Sequence, residues 1–108
     1  MDNTLTLSDR EYTVSRTTYA DNNSLAILLF DEYGEYDVFS INLSGYGFTP
    51  EKDMFVVDHN MVQDEELVRA FVDKFCDESR CRNIAFGPFQ CKSYLLALKD
   101  LEQIPSVG

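Results

Sequence analysis

Leu25-Ala26-Ile27-Leu28-Leu29-Phe30, then Asp31-Glu32-Tyr33-Gly34-Glu35, then Tyr36-Asp37-Val38-Phe39-Ser40-Ile41-Asn42-Leu43, is the stretch that decides the fold. The first six residues are apolar at every position and bounded by turn formers, which reads as a central strand covered on two sides. The glycine-containing middle is a hairpin loop, and the last eight residues return with Phe39, Ile41 and Leu43 on one face. The two strands are therefore expected to pair antiparallel in the middle of a sheet.

Toward the N-terminus, Asp21-Asn22-Asn23-Ser24 is a turn cluster, because Asn and Asp bond their own backbone and tolerate left-handed conformations. Before it, Tyr12, Val14 and Arg16 alternate with Thr13, Ser15 and Thr17, the period of a strand with one wet face. A shorter strand over Thr4 to Leu7 precedes it. Toward the C-terminus, Ser44 to Pro50 is loop chemistry carrying Tyr46 and Phe48, and Met54 to Asp58 is a short strand. Asn60 and Gln63 have the spacing of a capping box, and Leu67, Val68, Phe71, Val72, Phe75 and Cys76 form an apolar helical stripe. The pattern predicts a helix over about residues 62–78, ending where Arg80 and Arg82 suit the negative end of its dipole. Gly87-Pro88 then precedes a last strand from Phe89 to Leu96, and Leu98, Leu101 and Ile104 form a tail that packs on the body. The sum is an α+β domain, a mostly antiparallel sheet of about five strands with one main helix on one face.

The 108 residues suit a single domain spanning 1–108, and 44% hydrophobic with 13% aromatic residues is the composition of a chain that buries a core. A formal net charge of −10 repels phosphate backbones and anionic lipid, so direct nucleic-acid and membrane binding are excluded as general functions. Met1-Asp2-Asn3-Thr4 lacks a basic leader region, and no run approaches the roughly 18 apolar residues of a membrane span. Three cysteines cannot all pair within the chain, and the expectation is a cytoplasmic protein with reduced thiols.

Cys76, Cys81, Cys91 and His59 lack the second ligand pair of a zinc knuckle, so no metal site is assigned, and no nucleotide or cofactor loop is present. Cys81 stands out because Arg80 and Arg82 flank it, and neighbouring cations favour the thiolate. His59 lies at a strand-to-helix junction with Asn42, Asp58 and Asn60, which is one candidate ligand or catalytic site. The competing reading is that Asp58 and Asn60 cap a helix and His59 faces water.

The charge is lopsided. Residues 1–66 hold 14 acidic and 3 basic groups, net −11, whereas residues 67–108 hold 5 and 6, net +1. Acidic residues interspersed with loop aromatics describe an interface for a basic protein, including one that itself handles nucleic acid. The residues assigned to it are Asp31, Glu32, Tyr33, Glu35, Tyr36, Tyr46 and Phe48. A third reading is a homo-oligomeric structural module, such as a dimer, formed through an exposed sheet edge or face.

The blocks Tyr19-Ala20-Asp21-Asn22-Asn23-Ser24-Leu25-Ala26-Ile27, Ile41-Asn42-Leu43 and Val57-Asp58-His59-Asn60 resemble a family of small domains of unknown function. That family occurs in Gram-positive bacteria, their mobile elements and phages, and the resemblance covers about residues 19–75. Beyond Arg80 the chain lacks the family's tyrosine-proline ending. The resemblance implies no known activity. By analogy it implies a setting in which small acidic proteins inhibit restriction or CRISPR systems.

Overall fold

The structure, a computed structural model, describes residues 2–107; Met1 and Gly108 lie outside the described residues. It is α+β, with two antiparallel four-stranded sheets rather than one sheet of about five strands. The first sheet runs β1 (Thr4–Thr6), β2 (Glu11–Thr18), β3 (Leu25–Phe30) and β4 (Tyr36–Val38) in spatial order. The second contains β5 (Ser40–Ile41), β6 (Met54–Val57), β7 (Arg82–Phe86) and β8 (Cys91–Ala97), in the order β5-β6-β8-β7.

The stretch expected to return as one strand does pair antiparallel with β3, but only as far as Val38. At Phe39 it changes sheets. The Phe39 N–H donates to Ile27 O of the first sheet at 2.8 Å, while the Phe39 carbonyl accepts from Asp58 N–H beside the second at 2.8 Å. In a regular ladder the Ile27 N–H would return to the Phe39 carbonyl, and the turn leaves it without that partner. The Ser40 hydroxyl takes over, accepting the Ile27 N–H at 3.0 Å and bonding the Tyr19 hydroxyl at 3.0 Å. Five side chains brace the same corner from outside. Asn42 donates to Asp21 at 2.7 Å, Asn22 donates to Asn42 at 3.2 Å, Ser44 donates to Asp21 at 2.8 Å, and Ser24 donates to Asn22 at 2.8 Å.

The main helix is shorter than the predicted 62–78. Asp58 caps a one-turn helix α1 (His59–Val62), its carboxylate accepting the Asn60 N–H at 2.8 Å. Asp64, not Asn60, caps α2 (Glu65–Phe75), accepting the Leu67 N–H at 3.2 Å. Helix α2 stops at Phe75 because Cys76 is extended and bridges Leu98. Arg82–Phe86, read from sequence only as a cationic helix end, forms a strand that pairs along β8.

Both sheets and α2 share one core. Phe39, Phe55, Phe71 and Phe75 meet there, with Phe39–Phe71 ring centres 4.9 Å apart and Phe55–Phe71 centres 5.6 Å apart. Leu5, Val14, Ile27 and Leu29 face it from the first sheet, and Leu96 and Leu98 from the β8 side. The other face of the second sheet, carrying Met54, Val56, Leu95 and Ala97, is covered by Leu43 and partly by Phe48. The tail packs as expected, with Leu98 and Ile104 buried and Arg16 N–H bonded to Pro105 O at 2.9 Å. On its outer face the first sheet buries Ala26 and Ser15 but is open toward the β4 edge, so the expectation that Leu25–Phe30 is covered on both sides holds at Ala26 and fails toward Phe30. Leu28 and Phe30 are half-buried there, and Tyr36 and Val38 are exposed.

The corner makes a stability prediction. Ser40→Ala strands a buried N–H and is expected to lower unfolding free energy by about 1–3 kcal/mol, with Tyr19→Phe costing about 1 kcal/mol or less. Urea unfolding checks both, and a Ser40→Ala variant as stable as the parent contradicts the sheet switch.

Candidate functional site

The β3–β4 loop is folded by its own first acid. The Asp31 carboxylate accepts the Tyr33 N–H at 2.9 Å and the Glu35 N–H at 3.0 Å, and Gly34 supplies the left-handed backbone (φ +82°) that closes the turn. With Asp31 engaged in this way, Glu32, Tyr33 and Glu35 project outward, and Tyr33 is 83% exposed. The register of β1 and β2 brings their connecting turn to the same end of the sheet. Asp9, Glu11 and Tyr12 therefore join Asp31, Glu32, Tyr33 and Asp37 around an open cleft of about 510 Å³. Arg10 is the one cation on this cleft, and it is occupied by Asp64 and, at 3.5 Å, by Asp9. Among the described residues Glu32, Glu35 and Asp37 have no ion-pair partner.

Tyr36 starts β4 with its ring 5.3 Å from that of Phe30 and is 58% exposed. Tyr46 and Phe48 are elsewhere, on the second sheet. Tyr46 stacks 5.7 Å from Phe86, and with Phe48 it lines a separate cleft of about 370 Å³ beside Ile84 and Arg82. The seven residues assigned to one interface thus fall into two groups whose clefts share no residue. Conversely, Asp9, Glu11, Tyr12 and Asp37 belong with the hairpin acids but were not assigned to the interface. Asp37 lies in the hairpin strand itself; for Asp9, Glu11 and Tyr12 the signal is the alternation of β1 and β2, which places residues 7–10 at a turn but says nothing of which other turn lies next to it.

Of the residues at the strand–helix junction, Asn42 and Asp58 are occupied with loop and backbone bonds, while His59 and Asn60 are exposed. Asn42 serves the corner, Asp58 caps α1, and His59 is exposed in the first turn of α1. Among the described residues, no three His, Cys, Asp or Glu side chains are placed to share a metal ion. Cys76 is buried at the end of α2, where desolvation pushes its thiol well above the usual range, with Cys81 nearby adding to the shift. Cys81 is half-buried and donates to Asp77 O and accepts from Ala97 N–H, each at 3.4 Å. Arg80 beside it turns to Asp53, with two bonds at 2.9 and 3.0 Å. Cys91 begins β8 and is only half-buried.

No described helix is long and apolar enough to cross a membrane. Comparison with protein-family models, curated proteins and solved structures finds no match for the chain.

Several carboxylates away from the tip are tuned by their neighbours. Bonds from Arg80 and the Arg80 charge hold Asp53 below its usual 3.8. Bonds from Ser44 and Asn42 do the same for Asp21. Burial raises Asp64, but the Arg10 and Leu67 hydrogen bonds more than offset it. A carboxylate with a depressed folded value stabilises above its unfolded value and loses that contribution as pH falls through the folded one. The stability difference between the parent and Asp53→Asn is therefore expected to be full at about pH 5 and above, and to shrink toward about pH 2. Paired urea titrations across that range check the sign, and a gap that widens in acid contradicts it.

Proposed function

We infer that this chain is a non-catalytic interaction module whose acidic β3–β4 end engages a basic protein surface. The observation that carries the reading is the cluster of Asp9, Glu11, Asp31, Glu32 and Asp37 around exposed Tyr33, with the one cation, Arg10, shared between Asp9 of that cluster and Asp64. Clustered like charge is unfavourable for the free protein and speeds encounter with an oppositely charged surface, while an exposed aromatic supplies an anchor. Proteins that bind nucleic acid present such basic surfaces. The chain is accordingly proposed as an inhibitor of a nucleic-acid-handling defence enzyme, of the anti-restriction or anti-CRISPR type. The resemblance of residues 19–75 to small domains from Gram-positive bacteria, their mobile elements and phages supports that setting, and the proposed site of action is the cytoplasm.

Because the two aromatic groups line clefts that share no residue, the proposed surface narrows to the hairpin end and leaves out Phe48, which packs on the second sheet, and Tyr46, which is exposed against Phe86. In affinity capture from a host extract, Glu32→Lys/Glu35→Lys/Asp37→Lys is expected to lose partners that the parent retains at low salt. Tyr46→Ala should retain them. Undiminished capture by the charge-reversed variant, with its fold verified by circular dichroism, contradicts the reading.

A further inference from the structure

The open edge of β4 adjoins the acidic end, and its backbone shows which atoms are unused. Asp31 N–H bonds Glu35 O at 2.8 Å and Phe39 N–H bonds Ile27 O at 2.8 Å, with Asp37 registered opposite Leu29 between them. Hydrogen-bonded pairs alternate along an antiparallel ladder, so residues 35, 37 and 39 turn their backbone groups toward β3. The N–H and C=O groups of Tyr36 and Val38 therefore point out of the sheet, where β4 is the last strand.

The side chains on this edge have two distinct faces. Tyr36 and Val38 lie opposite Phe30 and Leu28 and extend the open apolar face to the rim, with 58% and 36% of their surfaces exposed. Asp37 emerges on the other face, exposed and without an ion-pair partner among the described residues. A second copy pairing here would set acid against acid, and inward-pointing charge on a short edge strand is a recognised guard against self-pairing. The same charge attracts a basic strand.

Resting on the acidic-surface reading above, we propose that the β4 edge takes up an extended segment of the basic partner as an added strand. The segment alternates apolar residues, seated beside Tyr36 and Val38 at the rim of the face that Phe30 and Leu28 continue, with Lys or Arg beside Asp37 and Glu35. Backbone bonds to Tyr36 and Val38 supply attachment, and the alternating side chains supply selectivity. With β4 only three residues long, the paired core is correspondingly short.

The test uses the whole protein and a capped hexapeptide of alternating valine and lysine. At a peptide concentration ten times its Kd, exchange of the Tyr36 and Val38 amide protons is expected to slow about tenfold. The same peptide N-methylated along its bonding edge should give no such protection, and alternating valine and glutamate should not bind. Lysine-peptide binding that leaves both amides unprotected, or equal protection by the glutamate peptide, overturns strand addition. So does protection without peptide that grows with protein concentration, which would mean self-pairing. Strand addition can fail in these ways while the charge-reversal capture still succeeds, so the two readings fail separately.

Discussion

Phe39 spends its two backbone hydrogen-bonding groups on different sheets, and the rest of the molecule is arranged around that division. A buried N–H or C=O without a partner is costly, so a strand leaves a ladder only where something replaces the bond it abandons. Here the replacement is the Ser40 hydroxyl, held on Ile27 N–H with the Tyr19 hydroxyl behind it. Because the chain crosses at this residue, the Phe39 ring sits where both sheets and α2 converge, against Phe55 and Phe71. The core is shared because the strand is.

The same constraint distributes the polar residues. Strand β3 runs from the turn at residues 19–24 to the acidic tip at 31–35, about 20 Å at the usual rise per residue. At the first end, Asp21, Asn22, Asn42 and Ser44 bond one another and brace the sheet switch. At the other, Glu32, Glu35 and Asp37 have no ion-pair partner among the described residues and surround exposed aromatics. Polar side chains that hold the fold and acidic side chains free to meet a partner thus sit at opposite ends of one strand. The blocks Tyr19 to Ile27, Ile41 to Leu43 and Val57 to Asn60 fall largely at the bracing end, so a structural demand accounts for much of their pattern.

Period and punctuation made most strands legible. Thr4–Thr6, Glu11–Thr18 and Met54–Val57 lie where alternation or short apolar runs place them, and the β3–β4 hairpin follows from its glycine loop. The sheet switch was not legible, because Tyr36 to Leu43 has the same period whether it continues in one sheet or passes into another. Strand β7 was hidden by Arg82 and Asn83, polar residues acceptable on an exposed edge but weak as a strand signal. The helix start was misplaced because Asp58, Asn60 and Asp64 all have cap chemistry, and only the backbone decides which N–H each reaches. At the candidate site the hairpin acids were visible as a charge cluster. Their company was not, since neither the nearness of Asp9 and Glu11 nor the distance of Tyr46 and Phe48 is encoded locally.

Residue-resolved amide hydrogen exchange on the free protein tests the central claim most directly, because it reads each bond of the crossing strand separately. The account predicts that Phe39, Asp58 and Ile27 exchange only through openings close to global unfolding, while Tyr36 and Val38, three residues and one residue before Phe39, exchange almost as free amides. Phe39 or Ile27 exchanging as fast as Tyr36 would contradict the division of one strand between two sheets.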